Sequence, residues 1–152
     1  MREEKVTINI LNWLESNGWS IVCYDFPQSG TGTLIHPNSD ENQMTKNKGG
    51  IIPDIIAVKK KTAVFFENKD RYVESDFEKI RKIKSSGKYS EGLSRLLKQF
   101  ASDTLFFGIA YASSINDDQR GLKNLENIDF LLTVNINSSI NILSDPFKLF
   151  SE

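Results

Sequence analysis

The stretch IIPDIIAVKKKTAVFFENK, residues 51–69, contains two apolar runs that join at a charged tip. Runs of this length, rich in isoleucine, valine and phenylalanine, predict two β-strands, 53–59 and 62–69, paired as an antiparallel hairpin. Apart from the lysines of the tip, the only ionic side chains of the stretch are Asp54, Glu67 and Lys69. These three residues are therefore the first candidates for a functional site.

The spacing of the three residues predicts that they meet at one end of the hairpin. A two-residue tip at 60–61 places Asp54 directly across from Glu67, and a four-residue tip at 59–62 gives the same register. We favour the longer tip, because a pair of lysines is a poor choice for a type I′ turn. Opposed residues project to the same face, and Lys69 lies two residues beyond Glu67, so all three share a face.

Two carboxylates in this arrangement need a compensating charge. With Cβ atoms roughly 5 Å apart, they repel by about 3 kcal/mol at an effective dielectric constant near 20. A bound Mg²⁺ reverses the sign of that interaction, and it typically takes one or two carboxylates and fills its shell with water and phosphate. We therefore expect Asp54, Glu67 and the Asn68 carbonyl to bind Mg²⁺ for phosphodiester chemistry. Lys69 would orient or deprotonate the attacking water, or stabilise the transition state.

Composition sets the class of protein. The 152 residues predict one domain, 1–152. One cysteine, Cys23, and one histidine, His36, exclude an internal disulfide and cysteine- or histidine-based zinc clusters. The start of the chain lacks the apolar stretch of a signal peptide, and no run of about 18 apolar residues occurs. No membrane association and a cytoplasmic location are expected.

The charge is distributed unevenly around the net value of −1. Residues 43–100 carry 14 basic and 7 acidic side chains, a net charge of +7. Residues 1–42 carry 2 basic and 6 acidic side chains, and residues 101–152 carry 3 and 7, a net charge of −4 each. The basic segment contains the Asp54, Glu67 and Lys69 set, so it is placed to attract a polyanion. The alternative is a helix with a solvated lysine face.

Periodicity predicts the remaining elements. They are a helix at 3–16, a strand at 19–26, a helix at 75–84 opened by a capping box at Ser75, a helix at 89–101, and strands at 104–111 and 130–134. A long polar loop, 27–50, is either functional or partly disordered. A polar linker contains Asp117, and no element is predicted after Asn137. The order predicts an α/β fold, a mixed sheet of four to five strands flanked by helices, with a helical crossover between the 62–69 and 104–111 strands.

At these residues the chain resembles the PD-(D/E)XK nuclease superfamily, which has the restriction-endonuclease-like fold. Pro53-Asp54 matches the first half of the family motif, Glu67-Asn68-Lys69 matches the second, and the order α-β-β-β-α-β over residues 3–135 matches the core. The resemblance implies that Asp54 and Glu67 bind Mg²⁺, that Lys69 is catalytic, and that DNA is cut to leave 5′-phosphate ends. Many members add an acidic residue from the first helix, for which Glu3 and Glu4 are the candidates.

Within this superfamily the chain is most similar to a small type II restriction endonuclease acting on double-stranded DNA. Loop 27–50 would then read base edges, through Gln28, Asn38, Asn42, Gln43, Lys46, Asn47 and Lys48. Phosphates would be contacted by Lys79, Arg81, Lys82, Lys84 and Lys88, with Lys46 and Lys48 also in the DNA-binding set. One catalytic centre per chain predicts a homodimer or a partner subunit for cutting both strands.

Three alternatives stay open. A structure-specific nuclease similar to Holliday-junction resolvases is one, although such proteins tend to be basic throughout. A non-catalytic DNA-binding subunit with the same fold is another, against which the intact Asp54, Glu67 and Lys69 argue. The third is a nuclease that acts on RNA or on DNA ends.

Overall fold

A single mixed sheet with helices on both faces organises the chain. The structure is a computed structural model that describes residues 1–27, 30, 32–38 and 49–151, and in these residues the sheet has six strands. The strands are β1 (Ser20–Tyr24), β2 (Ile55–Lys59), β3 (Thr62–Lys69), β4 (Thr104–Ala112), β5 (Phe130–Val134) and β6 (Ile140–Ser144). The helices are α1 (Glu3–Ser16), α2 (Glu74–Ser86), α3 (Ser90–Leu97) and α4 (Ile115–Leu122), with 3-10 turns at Lys98–Phe100 and Leu125–Asn127.

The strands lie side by side in chain order. β2 pairs antiparallel with β1 and with β3, and β6 pairs antiparallel with β5. The two central pairings, β3 with β4 and β4 with β5, are parallel. Parallel neighbours need a crossover connection, which α2 and α3 supply after β3 and α4 supplies after β4. The α/β architecture and the helical crossover between the 62–69 and 104–111 strands are confirmed.

The predicted count of four to five strands is wrong, because β6 forms in the segment after Asn137, where no element was expected. The two helices between β3 and β4 match the helices predicted at 75–84 and 89–101, whereas α4 occupies the predicted polar linker. The order therefore departs from α-β-β-β-α-β. The Ser114 side chain caps α4 by accepting a hydrogen bond from the Asp117 backbone N–H. Few apolar residues mark α4, because Gly121 rather than a larger side chain faces the sheet, against the Tyr111 hydroxyl.

The capping box predicted at Ser75 is absent. Helix α2 begins at Glu74, and Val73 precedes it without a side-chain cap. The Asp76 backbone N–H donates instead to the Val73 carbonyl. Asp76 therefore lies inside the first turn of α2, where its side chain is buried.

Two apolar layers sandwich the sheet and explain the unbroken apolar runs of β2 and β3. On one face α1 packs on alternate strand residues such as Val64 and Phe66, and we call this the α1 layer. On the other face α2 and α3 pack on residues such as Ile56 and Phe65, the α2 layer. Strands buried on both faces are apolar throughout. Within the described chain, no helix is both long and apolar enough to span a bilayer.

Candidate active site

The hairpin register predicted from the sequence is confirmed over the whole of β2. The pairs run from Ile55 opposite Phe66 to Lys59 opposite Thr62. The prediction of a longer tip is wrong, because the strands are joined by two residues only. Lys60 makes this tight turn possible by adopting the left-handed conformation, with φ of 57°. The tip lies at the opposite end of the hairpin from the acidic residues.

Asp54 and Glu67 lie at the other end of the hairpin. Asp54 precedes β2 by one residue, and its backbone N–H donates to the Phe66 carbonyl at 3.2 Å. Its Oδ2 atom accepts a 2.7 Å hydrogen bond from the Asn68 backbone N–H. Glu67 is only 5% exposed. Burial, followed by the charge of Glu67, raises the pKa of Asp54 from 3.8 to about 8.

The Asn68 side chain points away from these carboxylates. It is fully buried on the α1 side of the sheet, where its Nδ2 atom donates to Thr7 Oγ1 at 3.1 Å. Alternation along β3 explains this, because Glu67 and Lys69 share the other face with Phe65. The link to Thr7 connects the end of β3 to the first turns of α1. The Asn68 carbonyl remains a predicted ligand that no observed contact tests.

Lys69 lies among carboxylates at the end of β3. Its Nζ atom is 3.5 Å from Glu3 Oε1, so the first turn of α1 contributes to the site. Glu4, the other candidate from this helix, is exposed. Burial alone lowers the pKa of Lys69, but the charges of Asp76, Glu3 and the neighbouring carboxylates outweigh burial and raise it. Lys69 is therefore held as an ammonium ion.

Asp76 is a residue of this site that the sequence analysis missed. It is 7% exposed, and its Oδ2 atom is buried without a hydrogen-bond partner. Burial, and next the charge of Glu67, raises the pKa of Asp76 to about 6. The capping-box interpretation rested on Ser75 and gave Asp76 no role of its own. Its spacing of four residues from Ile80, on the inward face of α2, was the signal that placed it in the interior.

The donor set fits a hard divalent cation. Asp54 and Glu67 offer carboxylate oxygens, which Mg²⁺ prefers, and nitrogen and sulfur donors are absent from the set. In the part of the chain that the structure describes, no group of three or more His, Cys, Asp or Glu residues is arranged to hold a metal ion. Two carboxylates, with water and substrate completing the shell, match the needs of Mg²⁺. Lys79 already brings positive charge here, with Nζ 3.0 Å from Glu67 Oε1.

The predicted phosphate-contacting residues divide into three groups. Lys79, Lys82 and Lys88 line one groove of about 600 Å³ on the exposed side of α2. Arg81 pairs with Glu78 on the same helix, and Lys84 pairs with Asp129. Lys46 and Lys48 lie outside the described residues. Three of the seven predicted residues are thus brought together beside the acidic site.

Two positions of loop 27–50, Asn38 and Gly49, are held by hydrogen bonds to the turn between α2 and α3 and to the start of α3. The Asn38 side chain donates to the Gly87 carbonyl and accepts from the Glu91 backbone N–H, each at 3.1 Å. The Tyr89 hydroxyl donates to the Gly49 carbonyl at 2.6 Å. Asn38 therefore anchors the chain, and its amide is not free to read bases as predicted. The other predicted base-reading residues lie outside the described ranges, and they are Gln28, Asn42, Gln43, Lys46, Asn47 and Lys48.

The acidic residues and lysines of this site come from widely separated parts of the chain. α1 supplies Glu3, the hairpin supplies Asp54, Glu67 and Lys69, and α2 supplies Asp76. Comparisons with models of known protein families, with curated proteins and with solved structures found no match to this chain.

Proposed function

We propose that this protein is a Mg²⁺-dependent endonuclease that hydrolyses phosphodiester bonds of double-stranded DNA. In this proposal it is a small type II restriction endonuclease with a restriction-endonuclease-like fold. One observation carries the proposal. Glu67 is buried beside the half-buried Asp54 at the end of a hairpin, and alternation along β3 places Lys69 on the same face as Glu67. Burying like charges together costs free energy, which a bound divalent cation offsets.

Asp54 and Glu67 would hold the cation. The raised pKa of Asp54 means that this carboxyl retains its proton near neutral pH, and binding of Mg²⁺ releases that proton. The bound ion would act as a Lewis acid toward the scissile phosphate and the attacking water. Glu67 is buried in surroundings of low dielectric constant, and its attraction for the cation is stronger there than in water.

Lys69 acts as a cation in this proposal, not as a base. Asp76 and Glu3 help to keep its pKa raised, so it has no tendency to accept a proton from water. A fixed ammonium group can donate hydrogen bonds to the phosphate and stabilise the negative charge that develops in the transition state. Glu3 and Asp76 are positioning residues, since they act through Lys69.

The groove along α2 would bind the DNA backbone. Ser75, Lys79, Lys82 and Ser86 line it at positions i, i+4, i+7 and i+11, which fall on one face of the helix. Such contacts to phosphates orient the duplex without reading its sequence. Base recognition is assigned to residues of loop 27–50 between its anchors. Because each chain has one site, cutting both strands requires a homodimer or a partner subunit.

Plasmid digestion tests the proposal. Wild-type protein with Mg²⁺ is compared with Asp54→Ala and Lys69→Ala, and with the matched surface controls Asp70→Ala and Lys61→Ala. Discrete fragments that disappear only with the first two variants support a restriction endonuclease. Intact plasmid, despite a mobility shift that shows DNA binding, would overturn the enzymatic part in favour of a DNA-binding subunit.

Two further substrates separate the alternative nucleases. A four-way DNA junction that is cut while linear duplex stays intact would identify a junction resolvase. Preferential cutting of RNA, or of duplex ends in a linear fragment, would reassign the substrate. In each case the same Asp54→Ala and Lys69→Ala variants show whether this site does the cutting.

A further inference from the structure

A second site lies at the opposite end of the hairpin. It is a cavity of about 690 Å³ whose lining includes three lysines, three aromatic rings and three hydroxyl side chains. The lysines are Lys59, Lys60 and Lys148, and the rings are those of Trp19, Phe106 and Phe147. None of the described residues that line it is acidic. In a chain of net charge −1, this concentration of positive charge is a local feature.

The cavity is separate from the candidate active site. β3 begins at Thr62 beside the cavity and ends at Lys69, seven residues later, which corresponds to about 23 Å along a strand. Trp19 and Phe106 belong to the α1 layer, whereas Glu67 and Lys69 face the α2 layer. A small ligand in the cavity therefore does not reach the carboxylates.

Two of the lysines are held in conformations that favour glycine. Lys60 has φ of 57° and Lys148 has φ of 55°, both in the left-handed region. Each of these lysines lies in a tight turn, Lys60 in the two-residue hairpin tip and Lys148 in the turn where its backbone N–H donates to the Asp145 carbonyl at 3.1 Å. Lys59 donates one hydrogen bond to the Asn17 carbonyl at 2.8 Å, and an ammonium group has three donors. The cavity thus offers several N–H donors to an anion.

The aromatic rings provide a stacking surface next to these donors. Phe106 and Phe147 are in contact, with ring centroids 4.9 Å apart. Phe147 is nevertheless 56% exposed, so much of its ring is accessible beside Lys148. An accessible aromatic ring next to lysines suits a ligand with a flat ring and a negative charge.

We propose that this cavity binds a nucleoside phosphate, with the base stacked against Phe147 and the phosphate bound by Lys60 and Lys148. A volume near 690 Å³ is within the usual range of small-molecule sites. The ligand is either a free mononucleotide or the terminal nucleotide of a single strand, which share this chemistry. The inference does not depend on the nuclease proposal.

Calorimetric titration of the full chain with adenosine 5′-monophosphate tests the site. In the double variant Lys60→Gly/Lys148→Gly and in Phe147→Ala we expect the dissociation constant to rise at least about tenfold, because charge-assisted hydrogen bonds or stacking are removed. Glycine suits the left-handed backbone at both lysine positions, so these substitutions remove the charge without straining the fold. A melting temperature that is unchanged or raised will confirm that the variant is folded.

Two matched controls isolate the effect. Ser138→Gly relaxes a left-handed residue outside the cavity, with φ of 73°, and Lys123→Ala removes an exposed lysine elsewhere. Both should bind the nucleotide as wild type does. Loss of binding in either control to the same degree as in the cavity variants would overturn the proposal.

The choice of ligands gives the remaining outcomes. If adenosine and inorganic phosphate each bind more weakly than the nucleotide, the cavity recognises both the base and the phosphate. If inorganic phosphate binds as tightly as the nucleotide, the proposed stacking of the base is overturned. Absence of binding at about 10 mM nucleotide overturns the site. A short 5′-phosphorylated oligonucleotide that binds more tightly than the mononucleotide identifies a strand end as the source, and equal affinity identifies the free nucleotide.

Discussion

The Asp54 carboxylate accepts a 2.7 Å hydrogen bond from the backbone N–H of Asn68, the residue that directly follows Glu67. β2 begins at Ile55, and the Asp54 backbone N–H still donates to the Phe66 carbonyl, so the Asp54 side chain adds one more bond to β3 at this end of the hairpin. This bond ties the Asp54 side chain to β3, beside Glu67. It also lowers the pKa of Asp54 in part, but burial and the charge of Glu67 prevail.

Replacing Asp54 by asparagine should stabilise the metal-free protein, and more so as the pH rises. The folded-state pKa of Asp54 is raised from 3.8 to about 8, so its contribution to stability is full below pH 4 and is lost as the pH rises through about 8. We expect Asp54→Asn to be nearly neutral at pH 4 and stabilising by roughly 1–3 kcal/mol at pH 8. Urea unfolding in EDTA at both pH values measures the difference in unfolding free energy between the variant and the wild type. A difference that is the same at pH 4 and pH 8 would contradict the prediction.

Mg²⁺ should raise the melting temperature, and the rise should be larger at pH 8 than at pH 6. Protons compete with the cation for Asp54, whose pKa lies near 8. At a hundredfold excess over the dissociation constant, binding adds about 2.7 kcal/mol to the unfolding free energy. Thermal unfolding with Mg²⁺ or Ca²⁺ measures the effect. Glu67→Gln should abolish the rise in melting temperature, and Glu74→Gln, at an exposed position, should keep it. An equal rise in both variants would refute the prediction.

Lys69→Met should lower kcat by about a hundredfold to a thousandfold, the usual loss on removing an electrostatic stabiliser. Mg²⁺ binding should be retained or strengthened, because Lys69 adds positive charge beside the carboxylates. Single-turnover kinetics, together with the Mg²⁺-induced thermal shift, separate these effects. The variant Lys61→Ala at the hairpin tip is the control. Loss of metal binding in Lys69→Met would contradict the assigned role.

Asp76→Asn should stabilise the metal-free protein by an amount that grows from about pH 4 to about pH 6 and stays at its full value above pH 6. The folded-state pKa of Asp76 is raised to about 6, so its contribution to stability is full below pH 4 and is lost as the pH rises through 6. Activity should fall by roughly tenfold, less than for Lys69→Met, because the carboxylate acts through Lys69. The pH–rate profile should also change, since one charge that raises the pKa of Lys69 is gone. Glu74→Gln in the same turn should change neither property.

Lys82→Ala/Lys88→Ala should weaken DNA binding equally for all sequences. Each lysine–phosphate ion pair removed should reduce the slope of log K against log salt by about 0.9, so the double variant should reduce it by about 1.8. Binding titrations at several salt concentrations, with a cleavable and an unrelated duplex, measure the slope. Arg81→Ala is the comparison, because Arg81 is paired with Glu78 and lies outside the groove. A larger loss of DNA affinity for Arg81→Ala would indicate that the DNA binds to another face of α2.

The hairpin and its catalytic candidates could be predicted because their pattern is local. The register of β2 and β3 follows from residue spacing, and the shared face of Glu67 and Lys69 follows from the alternation of a strand. Asp76 could not be placed so easily, because a polar residue in the first turn of a helix has a common local explanation in capping. β6 was missed since its isoleucines form too short a run to indicate a strand without the pairing partner β5.

The two anchors of the 27–50 loop define where this protein tolerates change. Asn38 and Gly49 are both tied to the turn between α2 and α3, on either side of residues 39–48. New sequences inserted between these attachment points would leave β2, β3 and the first turn of α2 in place. Under the proposed function, the recognition sequence of this protein could therefore change while Asp54, Glu67 and Asp76 keep their positions.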